Sequence, residues 1–525
     1  MFNLQTGLLT LRAHPTQRLP LPYVTKYGGT SVSTVTYRPC LHNISMALHR
    51  VFCAREPALP GYCAQLYWNQ GITAVLYHPM FKQYAARIAA HFPLNNSFVE
   101  EVLHYADPHP KRRLRIRGHL EALRQALHTP GPRVVRGRVV AQLKVEQAKG
   151  GKKPRLTVDI GVMGSLVGAW LAKRMKSRMA EEPFRYGKTT MYFIPDASYQ
   201  SLKRGFEILY NPHTDYALLL FSDDAALAIR SPDGVVWYDI DISSCDKSHT
   251  VQIFRILSII TPPSHRHELA WLIAQLTTKL QIRHPNRNRR ERLYATPREA
   301  TLYSGSVLTT LVNNVAVMLI GLAIEAHGAH DVQGIVRAAE SVGYIVTVKE
   351  HHRFEQVQFL KHSPARDTRG EWQPLLNLGV FARACGRVNG ELPMWPGATL
   401  RERAEAQQGA LLKCMWPNTH FPALTRARAK WNTSRAQNEE RVRAEHYRVY
   451  DGWPELHFTD ASVLRRYGLD PSQASDYFQL LSLPPFYQIT GPAINLVLQA
   501  DYELSNNQTQ LGRPQPLAGR LPLEL

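Results

Sequence analysis

The sequence predicts a mixed α/β (α+β) fold, and three observations carry that prediction. Between Tyr216 and Ile240 lie three short apolar runs, Tyr216–Phe221, Ala225–Ile229 and Val235–Ile240. They are separated by Ser222-Asp223-Asp224 and by the turn Ser231-Pro232-Asp233-Gly234, and short apolar runs bounded by turn residues read as buried strands. Val251–Gln281 reads as an amphipathic helix and Val307–Ala326 as a buried one, since Thr309, Thr310, Asn313 and Asn314 argue against a membrane span. Third, the apolar share of 44% is that of a packed globular protein, which excludes wholesale disorder. At 525 residues the chain has room for two to four domains or one large multi-lobed enzyme.

The strand region carries the chemistry. Asp223 and Asp224 fall at the tip joining two apolar runs, and Asp239, Asp241 and Asp246 cluster around the end of the third. Burying several like charges together is unfavourable unless cations neutralise them. A two-metal phosphoryl-transfer site meets that demand, with hard Mg²⁺ held by oxygen ligands.

Lys and Arg outnumber Asp and Glu by 63 to 42, a formal charge of +21. So large a basic excess suggests a polyanionic partner, nucleic acid first. The six cysteines are scattered without a Cys-x-x-Cys pair, which fits reduced thiols better than a disulfide framework or zinc site. The N-terminal stretch lacks a secretory signal's apolar core and no membrane anchor is evident, so a cytoplasmic setting is expected.

In chain order, residues 1–45 are rich in Pro, Thr and Ser and read as an arm or irregular lobe. Helical pieces are expected from Met46 to His128, closing with the basic cluster Lys111–Arg117. After Pro130-Gly131-Pro132 come a strand at Val134–Val140 and a basic hairpin or loop, Leu143–Val162, carrying Lys144, Lys153 and Arg155. A solvated lysine loop is the plainer meaning of such a run. Arg283–Arg292 holds five arginines and suits a phosphate backbone or a plain solvated surface loop. Ser304-Gly305 reads as a turn opening a long helix, with Thr309 and Asn313 on one helix face. A second helix, Val332–Val342, precedes a strand at Gly343–Lys349 and a short strand pair at Val357–His362. Beyond Pro364 the chain is mostly helical, including Leu400–Leu412 and Thr425–Tyr447, and from Ser505 it is polar and Pro-rich.

Together these segments resemble the viral RNA-dependent RNA polymerases, right-hand enzymes with fingers, palm and thumb. Asp241-Ile242-Ser243-Ser244-Cys245-Asp246 resembles palm motif A, and Ser304-Gly305, Thr309 and Asn313 match the Ser-Gly-x-x-x-Thr-x-x-x-Asn pattern of motif B. Lys144, Lys153 and Arg155 resemble motif F, Gly343–Lys349 motif D, and Phe359-Leu360-Lys361 motif E. Motif C usually lies between B and D, but Val315–Val342 has no adjacent acid pair. The apolar-flanked pair Phe221-Ser222-Asp223-Asp224-Ala225 stands before motif A instead, with Ser222 where Gly is usual. That C-A-B order is similar to the permuted-palm polymerases of permutotetraviruses and birnaviruses. Strand neighbours are set by pairing rather than chain order, so the Ser231–Gly234 turn suffices to join C to A.

The resemblance implies fingers and an arm over 1–210, a palm over 211–365 with a fingers insertion near 250–300, a mainly helical thumb over 366–504 and a flexible tail over 505–525, with an antiparallel palm sheet. It implies RNA synthesis from nucleoside triphosphates with release of pyrophosphate. Asp223 and Asp241, assisted by Asp224, would hold Mg²⁺, with Mn²⁺ as the alternative; Asp239 would support them. Asp246 and Asn313 would sense the ribose 2′-hydroxyl, supported by Ser304, Gly305 and Thr309, and Lys144, Lys153 and Arg155 would hold the triphosphate. Lys349 is the candidate general acid for the leaving pyrophosphate, against the plainer reading of a solvent-facing lysine at a strand end. The implied partners are RNA template and product, nucleoside triphosphates, and a protein primer or other viral replication proteins, in the host cytoplasm or packaged in a virion. A reverse transcriptase would share the carboxylates but not the motif B pattern, and a non-catalytic RNA-binding protein could keep the fold without turnover.

Overall fold

The structure, a computed structural model, describes residues 34–36, 41–52, 139–144, 147–149, 154–249, 251–283, 293–297, 300–385, 396–430, 452–485, 487–489, 491–503 and 515–516, with isolated positions 86, 90 and 119. Lys153, the Lys111–Arg117 cluster, the Arg-rich loop beyond Arg283 and helix Thr425–Tyr447 beyond Lys430 fall outside these residues. Elements are numbered in chain order below.

A six-stranded sheet holds the acidic stretch. Its strands are β3 (Phe184–Tyr186), β4 (Thr189–Phe193), β5 (Tyr216–Phe221), β6 (Asp224–Ser231), β7 (Gly234–Ile242) and β10 (Val346–His351). The spatial order is β10-β7-β6-β5-β4-β3, antiparallel throughout except for the parallel pair β4–β5. That pair is joined by helix α3 (Tyr199–Tyr210), whose Ser198 N-cap accepts from the Ser201 N–H. The three strands expected at 216–240 are all present. Two further strands precede residue 211 in the same sheet, so the expected boundary there runs through a paired ladder. Runs as short as Phe184–Tyr186 carry too little periodicity to read from sequence.

Alternation along the strands divides the core in two. Leu218, Leu220, Leu227, Ile229, Tyr238 and Ile240 face one side. Ala217, Leu219, Ala226, Ala228 and Trp237 face the other. The first side is covered by helix α7 (Thr309–Ala326), apolar on nearly every face and buried along its length. At Gly321 the helix approaches β4 and β5 so closely that a Cβ would stand 2.7 Å from Met191 Cε and 2.8 Å from Leu218 Cδ2. α7 is long and apolar enough to cross a membrane, but most of it is buried within this fold. It is followed by α8 (Val332–Ser341), N-capped by Asp331.

The long helix expected over Val251–Gln281 is instead two helices, α5 (Val251–Ile260) and α6 (Arg266–Gln275), and a strand, β8 (Leu280–Ile282). Pro262 and Pro263 end the first helix, since proline removes a donor and restricts the residue before it. β8 joins a four-stranded sheet with β1 (Val139–Leu143), β2 (Leu156–Asp159) and β9 (Leu293–Ala295). Helix α2 (Gly161–Glu181) follows β2 and packs against α6.

The second side of the main sheet is covered by α3 and by the chain beyond Val357. This part contains the hairpin β11 (His362–Arg366) and β12 (Trp372–Leu376), helix α9 (Leu378–Cys385), helix α10 (Leu400–Cys414) with a Thr399–Glu402 capping box, and helix α13 (Pro492–Tyr502). Asp501 at the end of α13 is 2% exposed and accepts from Arg466 Nε at 2.9 Å, Tyr467 Oη at 2.8 Å and the Gly379 N–H at 2.8 Å. The Gly379 bond ties α13 to α9, and the buried ion pair ties it to the short helical turn Arg465–Tyr467. Within the expected flexible tail, Gln515–Pro516 pairs with Tyr487–Gln488, so that piece straps back onto the fold.

Candidate active site: a carboxylate hairpin and its asparagine support

The Phe221–Asp224 pairing makes Ser222-Asp223 a two-residue turn between β5 and β6. Ser222 has φ 57°, the left-handed region where glycine is free of strain and serine is not. Two neighbours on α7 hold Ser222: its N–H donates to Asn314 Oδ1 at 2.7 Å, and its Oγ accepts from Asn313 Nδ2 at 3.1 Å. The β6–β7 register sets Asp224 directly opposite Asp241 on the second face of the sheet, and Thr347 of β10 lies beyond Asp241. One row along the same face, Asp239 stands between Ala226 and Lys349.

Asp224 keeps contact with solvent, yet its pKa is pushed up to about 6. The surrounding protein strips its hydration first, and the charges of Asp223, Asp241 and Asp239 add to the effect. Lys361 opposes it. The Asp246 pKa is also raised, by burial and then by Asp223, against the Asn313 hydrogen bond and the charges of Arg155 and Arg50. Asp223 at the tip is therefore felt by both groups. Asp246 lies on the short helix α4 (Cys245–Ser248), which follows Ser244 in a left-handed conformation.

The structure thus gathers Asp223, Asp224, Asp241, Asp246, Asn313 and Arg155. Lys144 neighbours Arg155 across the β1–β2 hairpin, its N–H donating to the Arg155 carbonyl at 2.9 Å. Ser304 and Gly305 do not open the helix; α7 starts at Thr309, and the two residues form a turn ahead of it. Gly305 has φ 85°, and a Cβ there would meet Thr157 Cγ2 at 2.9 Å. The turn is tied to β2 by the Val158 N–H to the Ser304 carbonyl at 3.3 Å, and Thr309 Oγ1 donates back to the Tyr303 carbonyl at 3.0 Å. Ser304, Gly305 and Thr309 therefore shape the loop and do not reach the carboxylates through these bonds. A cavity of about 280 Å³ lies beside this turn, lined by Gln142, Thr157, Asp159, Ser165, Arg283 and Gly305; none of the clustered carboxylates lines it. Lys349 pairs with Glu503 at 3.1 Å and is 41% exposed. Asp239 accepts from His351 Nε2 at 2.8 Å and the Gln358 N–H at 3.1 Å, so it anchors the segment after β10.

Two further residues stand out: Lys361, part of the segment that resembles motif E, and His249, which had no role from sequence. Lys361 shares with Leu360 a two-residue turn in which both have positive φ, 63° and 51°, a strained arrangement for non-glycine residues. Its Nζ donates to the Asp501 carbonyl at 3.4 Å and lies 4.8 Å from the Tyr502 ring centre. Burial lowers its pKa, opposed by Asp224, Asp501 and Asp241. His249, in the core beside α4, contacts Asn313 Oδ1 through Nε2 at 2.8 Å. The sequence signal for Lys361 was the resemblance of Phe359-Leu360-Lys361 to motif E; His249 carried none.

Among the described residues no three His, Cys, Asp or Glu side chains already stand together as a ligand set. The donor chemistry nevertheless fits a hard divalent cation, since Asp223, Asp224 and Asp241 offer only carboxylate oxygens. The Asp224 pKa is raised first by lost hydration, and the charge of Asp223 outweighs the opposing charge of Lys361.

The solved structures similar to this chain include two of birnavirus VP1. The birnavirus VP1-VP3 complex has 11% identity and a TM-score of 0.40, covering 67% of this chain and 50% of that one. The RNA polymerase VP1 from Infectious Pancreatic Necrosis Virus has 12% identity and a TM-score of 0.37, covering 74% and 51%. The chain spans about half the length of these structures. No family model and no curated protein matches it.

Proposed function

We propose that this chain is a template-directed RNA polymerase whose palm motifs run in the order C, A, B. The observation that carries the reading is the meeting of three separated patterns. The Ser222-Asp223-Asp224 hairpin lies across a ladder from Asp241, and its turn is held by Asn313 and Asn314 from the helix after Ser304-Gly305. Carboxylates alone would mark many proteins; their junction with the motif B helix is what favours a polymerase.

In this reading Asp223 and Asp241, with Asp224, hold Mg²⁺, or Mn²⁺ in its place, by turning their side chains inward. The bound ions would supply charge stabilisation at the triphosphate and lower the pKa of the attacking 3′-hydroxyl. Asp246 and Asn313, already hydrogen-bonded to each other, are set to read a ribose 2′-hydroxyl. A site built to bond a hydroxyl rejects the analogue lacking it strongly. Arg155 and Lys144 approach from the neighbouring sheet as triphosphate-binding cations, the guanidinium matching phosphate geometry. Lys349 can serve as proton donor to pyrophosphate only by leaving Glu503. The partners are an RNA template and product and nucleoside triphosphates, with other viral replication proteins assembling on the enzyme.

The test is extension of an RNA primer on an RNA template by the purified chain with ribonucleotides and Mg²⁺. Asp241→Ala and Asp223→Ala are each expected to reduce incorporation by a factor on the order of 10³ or more, as when a transition-state charge stabiliser is removed. Near-normal synthesis by either variant would overturn the metal assignment.

A further inference from the structure

The Asn313 side chain is 1% exposed and engaged at both ends. Its Nδ2 donates to Ser222 Oγ at 3.1 Å and supports the Asp246 carboxylate. Its Oδ1 lies 2.8 Å from His249 Nε2, and His249 Nδ1 lies 3.1 Å from Tyr344 Oη. Both partners are buried, His249 at 7% and Tyr344 at 0% exposure, with their rings edge-on. Cys245 Sγ is a further, weaker neighbour of Nε2 at 3.6 Å.

Donor and acceptor inventories give this chain one direction. A carboxylate only accepts, so the amide must turn Nδ2 toward Asp246 and Oδ1 toward His249. An amide oxygen only accepts, so His249 must carry its proton on Nε2. In the neutral imidazole its Nδ1 is then a lone pair, and Tyr344 donates to it. An Asn313 flipped by half a turn would set Oδ1 against Asp246 and Nδ2 against the His249 N–H, two repulsive contacts. His249 and Tyr344 thus reinforce, from the other end of the amide, the orientation that the Asp246 carboxylate favours. They reach it from α4 and from the segment leading into β10, neither of which carries the asparagine.

We propose that Tyr344 and His249 are positioning residues that lock the Asn313 amide, and that through it they set discrimination between ribose and deoxyribose. The proposal rests on the polymerase reading and adds to it two residues that contact neither nucleotide nor metal. Loss of the orienting hydrogen bond at Oδ1, worth roughly a factor of ten or less, leaves Asn313 held by Asp246 and Ser222 alone and less firmly fixed.

The experiment measures single-nucleotide incorporation efficiency with ribo- and deoxyribonucleoside triphosphates, using the full chain, a primed RNA template and Mg²⁺. The unchanged protein is compared with Asn313→Ala, His249→Phe, His249→Gln and Tyr344→Phe, with thermal melting of each. His249→Phe and Tyr344→Phe are expected to lower the ribo-to-deoxy ratio by about five- to tenfold, in the direction of Asn313→Ala. His249→Gln, which keeps an N–H donor, should recover part of the ratio. If Asn313→Ala lowers the ratio and the His249 and Tyr344 variants do not, the relay is refuted while the sugar-reading role of Asn313 stands. If Asn313→Ala also leaves the ratio unchanged, the underlying reading falls and the proposal with it. Should His249→Phe fail to fold, Tyr344→Phe, which removes a single oxygen, decides between these outcomes.

Discussion

Replacing Asp224 with Asn should make the metal-free protein more stable, although the residue belongs to the proposed active site. The carboxyl is held at a pKa of about 6, from an ordinary 3.8, by lost hydration and by Asp223, Asp241 and Asp239. At about 1.4 kcal/mol per pKa unit that corresponds to roughly 3 kcal/mol. Asp224 retains solvent contact, so screening reduces the figure to about 1–1.5 kcal/mol. The sign follows from proton counting. Between pH 4 and about 6 the folded chain binds more protons at this residue than the unfolded one, so stability falls as pH rises through that window. Below it the penalty is absent, and above it the penalty is complete. Asn carries no such penalty at any pH. In EDTA, Asp224→Asn should therefore melt about 1–3 °C higher than the unchanged chain at pH 7.5 and keep only about a third of that advantage at pH 4.5. Mg²⁺ should stabilise the unchanged chain and the variant much less, because ligand binding to the folded state adds stability by mass action. A variant less stable than the unchanged chain at pH 7.5, or one whose gain is equal at both pH values, would refute this reasoning.

Two further outcomes concern the supports of the site. Ser222→Ala keeps the strained φ of 57° and loses the bond from Asn313, so it should cost about 1 kcal/mol in chemical denaturation. Ser222→Gly loses the same bond but relieves a left-handed strain of about 1 kcal/mol, so it should fall above Ala; equal stabilities for Ala and Gly would remove the strain argument. Asp501→Ala leaves Arg466 buried without its carboxylate, and urea unfolding should show a loss of about 3–5 kcal/mol; a loss under about 1 kcal/mol would mean that the pair does not anchor α13.

What the sequence made legible was what local pattern controls. The hairpin at Ser222-Asp223, the turn at Ser231–Gly234 and the apolar helix ending at Ala326 were written in alternation, turn residues and run length. Strands β3 and β4 were not, because so short a pair acquires its identity from pairing with β5 rather than from its own residues. The single helix expected over Val251–Gln281 is two helices because Pro262-Pro263 interrupts an apolar period that continues on both sides. In the site, the carboxylates were legible because clustered acids between apolar runs are costly without a purpose. His249 was not, since it acts through Asn313, 64 residues distant in the chain; Lys361 was legible only as part of Phe359-Leu360-Lys361, and its contact with Asp501 and the charge of Asp224 come from tertiary geometry. Ser304, Gly305 and Thr309 matched a pattern, but their bonds run to β2 and Tyr303, a distinction that only tertiary geometry makes.

The most direct measurement is single-nucleotide addition to an RNA primer, run on four RNA templates that differ only in the templating base, with Mg²⁺ and with EDTA. The account predicts that the chain adds the complementary ribonucleotide on each template with Mg²⁺ alone, and that Asp241→Ala adds none at a measurable rate. Absence of addition by the intact, folded chain with either Mg²⁺ or Mn²⁺, or addition that ignores the template base, would contradict it.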